Sequence, residues 1–423
     1  MTRYEESPSA HAVRFDAVVI GMCSLAYLLD GIVFTIMGPL APEIARTLAL
    51  SNAALGPIFS ANLVGQCAGL LVFPLVANRV GHRIVVIGTL AGFGLFQAAS
   101  GLAESALQLL VLRTITGFFV GGSLPSCMAM VAGAAPPYRR GLAVTILFTA
   151  YAIGSTAAGL LSGVFLAHGG WRAAMIVVGG LCLLSALVTW IWLRDPVSPG
   201  AVGPAPSRGV LGDAASLVAQ PYLIGTLALW TLFIAMLTLS YCLTSWLPIM
   251  LVQLGRAPSF AALALSIFSL GGIIAALGVG LLIDRFGATR VLVSFLLAAT
   301  ALLFAIGQVL ASASATLLLT LLIVCGFFAL GAYGGVNVVL AGFYPPATRA
   351  LGIGVTKSVG RVGTVAAPIL VGIALSAGMN VETVMSLFAI PAAVAAAALI
   401  VIHAANRGTI GADARTKKEA ERT

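Results

Sequence analysis

Leu25-Ala26-Tyr27-Leu28-Leu29-Asp30-Gly31-Ile32-Val33-Phe34-Thr35-Ile36-Met37-Gly38-Pro39-Leu40-Ala41-Pro42 lies inside an apolar run from Ala17 to about Ala45. As a helix, that run is long enough to cross a hydrocarbon core of about 30 Å. Asp30 interrupts it. A carboxylate at such depth is costly, so by default it faces a partner or a wet cavity. Asp30 is the only acid well inside a predicted membrane helix. It is therefore the first candidate for function, the plainer alternative being a static ion pair with a buried base.

Composition agrees with a membrane protein. The chain has 423 residues, 60% hydrophobic and only 8% charged, against about 25% charged in soluble domains. Repeated apolar runs of about 20 residues fit helices rather than barrel strands. The fold class expected is an all-α integral membrane protein. Twelve helices are predicted near 17–45, 54–77, 83–102, 106–132, 141–167, 171–193, 221–251, 259–283, 289–311, 315–341, 348–376 and 382–404. A Pro/Gly-rich linker at 194–220 separates two groups of six, 17–193 and 221–404, with polar tails at 1–16 and 405–423. The first apolar run is too long for a signal-peptide core and lacks a cleavage site after it.

The basic residues set an orientation. With the N-terminus cytoplasmic, that side carries Arg3, Arg14, Arg79, Arg83, Arg139, Arg140, Arg194, Arg208, Arg285, Arg290, Arg349, Arg407, Arg415, Lys417, Lys418 and Arg422. The other side carries Arg46, Arg172 and Arg256. This is the positive-inside pattern with both termini cytoplasmic. It accounts for the net charge of +9 without nucleic acid. The six cysteines have no metal-ligand spacing and read as small buried thiols. No phosphate loop or nucleophile–base set is visible, so neither an enzyme nor an ATP-driven pump is expected, and no cofactor.

An internal repeat follows the second helix of each half. Pro74-Leu75-Val76-Ala77-Asn78-Arg79-Val80-Gly81-His82-Arg83 corresponds to Gly280-Leu281-Leu282-Ile283-Asp284-Arg285-Phe286-Gly287-Ala288-Thr289-Arg290. Two parallel six-helix halves around a central site are a transporter plan. These loops resemble the signature of the major facilitator superfamily. Asn78 stands where that pattern has Asp. Asp30-Gly31, Leu112-Arg113-Thr114-Ile115-Thr116-Gly117, Ser245-Trp246-Leu247-Pro248 and Tyr344–Gly354 with Gly360-Arg361-Val362-Gly363 are similar to motifs of the aromatic acid:proton symporter branch. Val33 replaces the second acid of that branch's first-helix motif.

The resemblance implies two pseudo-symmetric bundles that alternate access to a central site in a bacterial inner membrane, with a monomer as the working unit. It implies gating by Asn78, Arg79, Arg83, Asp284, Arg285 and Arg290. Asp30 would carry the proton. Arg113, on a face with Gly117, Gly121 and Pro125, would be the base nearest Asp30, since helices one and four both line the cavity in that superfamily. Arg361 and Lys357 share a face of helix eleven, and Arg113 with Arg361 would hold the substrate carboxylate. Intramembrane bases outnumber acids, so a bound organic anion is the simplest compensation. Lys357 would meet a second anionic or phenolic group, or else snorkel to an interface. Tyr27, Tyr241, Tyr333 and Asn337 supply aromatic and polar lining suited to an aromatic carboxylate. An exchanger or efflux antiporter on the same fold, and a non-transporting sensor, are the alternatives.

Overall fold

The computed structural model describes residues 16–194, 220, 222–344 and 348–420; for 137, 349–351 and 406–420 it describes the backbone alone. Most of the linker, Arg3, Arg14, Arg208, Pro345–Ala347 and the side chains of Arg349 and the basic C-terminal residues lie outside that description. Helices account for nearly all of it. The first half holds α1 (Ala17–Thr35), α2 (Met37–Thr47), α3 (Asn52–Val80), α4 (His82–Ser100), α5 (Ala106–Gly133), α6 (Arg140–His168) and α7 (Gly170–Trp192). The second holds α8 (Leu223–Gln253), α9 (Pro258–Phe286), α10 (Ala288–Val309), α11 (Ala315–Phe343), α12 (Arg349–Ser376), α13 (Val381–Leu387) and α14 (Ala389–Ala420). Among the described residues, twelve spans are long and apolar enough to cross a membrane.

Two spans differ from the expected single rods. The first breaks at Ile36 between α1 and α2. Pro39 has no N–H to return to the Thr35 carbonyl, and Pro42 has none for Gly38, so the ladder is interrupted there. The last breaks at Phe388, where Pro391 cannot bond Leu387 in the same way. Its second piece continues to Ala420, beyond the apolar stretch that ends at Ala405.

The halves repeat each other in detail. α1 packs on α6 and α3 on α5; α8 packs on α12 and α9 on α11 in the same way. Ser105 and Ser314 cap α5 and α11, each accepting a bond from an amide three residues on. Gly81 and Gly287 end α3 and α9 with φ of 90° and 84°, a backbone that L-residues adopt at a cost. The two signature loops are thus the same turn used twice.

Backbone contact between helices rests on missing side chains. A Cβ on Gly31 would collide with the Tyr151 carbonyl of α6, and one on Gly154 with Leu28 of α1. Small residues let membrane helices approach this closely. Gly117 and Gly121 of α5 likewise seat against Asn62 and Gln66 of α3.

The bundles meet through α3 with α12, α6 with α9 and α2 with α8. We call the end of the molecule nearest residues 194–220 the linker end, and the opposite end the far end. One apolar core unites the first bundle with the far half of the second; the linker half of the second has a separate core. Inter-bundle hydrogen bonds among described residues follow the same division. Arg361–Gln66, Ser60–Val365, Ser266–Thr156 and Gln253–Asn52 run from mid-depth to the far end. The bundles are therefore closed together at the far end. Outside, apolar side chains such as Leu71, Leu75, Leu277 and Leu281 are exposed, a surface suited to lipid. Trp190 and Trp192, exposed near the end of α7, match an interfacial belt.

Gly31→Ala should overpack the α1–α6 contact and lower stability by about 1–3 kcal/mol. Gly180→Ala, with no neighbour for its Cβ, should be neutral or slightly stabilising. Thermal unfolding of the detergent-solubilised variants checks the difference.

Candidate functional site

At mid-depth the two bundles bring one acid and one base into a ring of tyrosines. Asp30 sits on α1, 2% exposed, with Oδ1 lacking a hydrogen-bond partner. The cation that couples to it electrostatically is Arg361 of α12, across the bundle junction. Tyr27, Tyr151, Tyr241 and Tyr333 lie within electrostatic reach of one another around this pair. The Tyr27 and Tyr151 ring centroids are 4.9 Å apart, and Phe34 meets Tyr241 edge-on at 5.0 Å. Aromatic pairs of this kind favour flat, polarisable ligands over flexible chains.

Arg361 is half-buried. Its Nη1 donates to Gln66 Oε1 at 2.7 Å, and its remaining donors bond no described residue. A planar fork with one prong tied and the others open is suited to a carboxylate. Lys357 lies one turn nearer the linker end on the same face and is exposed. Asn337 is half-buried, but its Nδ2 turns back onto the Tyr333 and Gly334 carbonyls. Its amide oxygen, rather than its NH₂ group, is the part left for a ligand.

Arg113 does something other than expected. It is 1% exposed, and its charge is not paired with Asp30. Its Nη1 donates to Gln97 Oε1 on α4 at 2.7 Å and its Nη2 to the Val33 carbonyl on α1 at 3.2 Å. Gln97 in turn contacts the Met175 sulfur on α7. Arg113 thereby ties α1, α4 and α5 together beside the break in the first span. It also lines a small cavity of about 20 Å3 with Phe34, Phe59, Asn62, Tyr241 and Thr244, on the far side of Asp30.

The residues expected to gate lie at the linker end. Asn78, Arg79, Asp284, Arg285 and Arg290 are exposed, and among the described residues none forms an ion pair. Arg83 instead anchors within its own bundle, donating from Nη2 to the Trp190 carbonyl at 2.7 Å. Five of the six cysteines are buried, Cys67 partly so, and all are free. Tyr151 and Gln97 were not singled out in the sequence. A mid-helix tyrosine beside Gly154, and a lone amide inside an apolar helix, are the signals that mark them.

The chain matches the family described as Major Facilitator Superfamily over residues 23–255 and again over 229–421. It is 31% identical to the 4-hydroxybenzoate transporter PcaK of Pseudomonas putida, covering 92% of each chain. It is 30% identical to a gallate transporter of the same organism, with 93% of each covered. Identity to the 3-(3-hydroxy-phenyl)propionate transporter of Escherichia coli (strain K12) is 32%, over 90% of this chain and 92% of that one. Among solved structures, the nucleoside transporter NupG superposes with a TM-score of 0.75 at 15% identity, over 91% of this chain and 99% of that one. A bacterial homologue of the human lysosomal transporter Spinster, inward-facing and unoccupied, gives 0.71 at 19%, over 94% and 96%.

If Arg113 is held as a structural tie, Gln97→Leu should leave part of its fork unmet and cost about 1.5–3 kcal/mol. Ligand-free thermal unfolding measures this; an unchanged midpoint would remove Arg113 from the scaffold.

Proposed function

Because this chain belongs to the Major Facilitator Superfamily, and so is a membrane transporter and not an enzyme, we propose that it is a proton-coupled symporter importing an aromatic carboxylate. One observation supports this above the others. A buried acid on one bundle lies within electrostatic reach of a half-free arginine on the other, with four tyrosines in the same reach. Relatives similar over nearly their whole length bear names with aromatic acids, 4-hydroxybenzoate, gallate and a hydroxyphenylpropionate.

The proposed cycle uses these parts in turn. With the far end open, the substrate carboxylate takes the free prongs of Arg361 while its ring stacks among Tyr27, Tyr151, Tyr241 and Tyr333. Asp30 loses its counter-charge to the incoming anion and takes up a proton in its place. The net charge of the site is then unchanged by loading, which favours closure around it. Closure at the far end, as in the present structure, exposes the site at the linker end, where Lys357 and Asn337 lie on the exit path. Arg113 holds the first span in register through its Nη1 and Nη2 bonds and does not take the substrate carboxylate. The loops at Asn78–Arg83 and Asp284–Arg290 close the linker end in the opposite state. We assign that end to the cytoplasm of a bacterial inner membrane, with a monomer as the transporting unit.

Val33 in place of a second acid favours exchange as the second reading, because one carboxylate offers a single protonation site near the substrate. Uptake of labelled 4-hydroxybenzoate into proteoliposomes, acid outside, separates the two. Symport predicts gradient-driven accumulation that Asp30→Asn abolishes, while Arg361→Gln raises KM by tenfold or more. Uptake that ignores the gradient, needs substrate on the inner side and survives Asp30→Asn would establish exchange.

A further inference from the structure

Asn62 is the polar group that the proposed cycle leaves unused. It lies on α3, 3% exposed, and its Oδ1 has no hydrogen-bond partner. No part of its amide bonds any described residue. Arg113 Nε, on the wall of the same cavity, is also without one. A buried acceptor and a buried donor therefore stand unmet beside one void. Such pairs in native structures call for an occupant. The volume of about 20 Å3 admits one hydroxyl or one water, and excludes a ring.

The position relative to Arg361 narrows the occupant. Gln66 holds Arg361 Nη1, and Asn62 is one turn from Gln66 toward the closed end of α3. Four residues of helix rise about 6 Å. A single benzene ring with substituents at opposite positions bridges that span; an ortho pair does not. Phe34, Phe59 and Tyr241 line the cavity and provide apolar walls on the way in, and Tyr241 belongs to the tyrosine ring as well.

We propose that Asn62 and Arg113 Nε read a para-hydroxyl group on the substrate, which donates to the amide oxygen and accepts from the guanidinium. This rests on the aromatic-carboxylate reading above and makes it specific. Arg361 then sets which functional group is required, and Asn62 sets where the second one sits. Arg113 acts here through one idle N–H while its other donors keep their structural bonds.

The test compares uptake of benzoate and of 2-, 3- and 4-hydroxybenzoate in proteoliposomes, for wild type, Asn62→Ala, Asn62→Ser and Lys357→Ala. The quantity read is the ratio of kcat/KM between 4-hydroxybenzoate and benzoate, in which differences in folded yield cancel. Wild type should favour the para-hydroxy acid by roughly tenfold or more. Asn62→Ala should bring that ratio close to one, and Asn62→Ser should retain part of it. The ortho isomer should gain nothing from Asn62. Proton-driven uptake of all four acids with no para preference in wild type would overturn the proposal, leave the function standing and assign the void to water. A preference lost in Lys357→Ala but kept in Asn62→Ala would move the hydroxyl to the linker side. Absence of uptake of any aromatic acid would overturn both readings together.

Discussion

The carboxylate of Asp30 constrains everything around it. A charge at that depth by default faces a partner or a wet cavity, and the cation within electrostatic reach here comes from the other bundle without forming an ion pair. Arg361 stands across the junction that must open and close if access alternates. The electrostatics of the site therefore cannot be the same in both states. A static pair within one bundle would carry no such dependence. In the proposed cycle, one charge on each bundle would make the central site sensitive to a ligand's charge, to a proton, and to bundle position at once.

The packing is tighter within each bundle than across that junction. Within each bundle, glycines bring backbones together so closely that side chains have no room, at Gly31 with Tyr151 and at Gly117 with Asn62. Between bundles, the contacts are few hydrogen bonds and a core confined to the far end. Rigid halves with a lighter seam are what rocking needs. Arg113 belongs to the rigid part. Its bonds to Gln97 and to the Val33 carbonyl brace the first span next to the break that Pro39 and Pro42 impose.

Much of this was readable in the sequence, and the reasons are physical. Twelve spans follow from run length, since a membrane leaves few ways to satisfy a backbone. The repeat shared by the two loops is plain in the sequence, and its Gly81 and Gly287 stand where the backbone takes a positive φ, which favours glycine. Asp30, Arg361, Tyr27, Tyr241 and Tyr333 were placed at the right depth by counting. Depth is not direction, however. Arg113 was at a suitable level to meet Asp30, yet its guanidinium turns toward α4, where Gln97 was an unremarked amide in an apolar helix. Tyr151 was missed for the same reason: one tyrosine at mid-helix does not disclose which neighbour its face will meet. The breaks at Ile36 and Phe388 were legible from the prolines but masked by unbroken hydropathy.

The central claim is that Asp30 and Arg361 act as one coupled unit on the substrate. A double-mutant cycle tests it: substrate affinity by calorimetry for wild type, Asp30→Asn, Arg361→Gln and the double variant. Coupling predicts that the two changes fail to add, with an interaction energy of at least about 1 kcal/mol. Additivity within about 0.5 kcal/mol would mean that the two charges serve separate purposes, and would contradict the account.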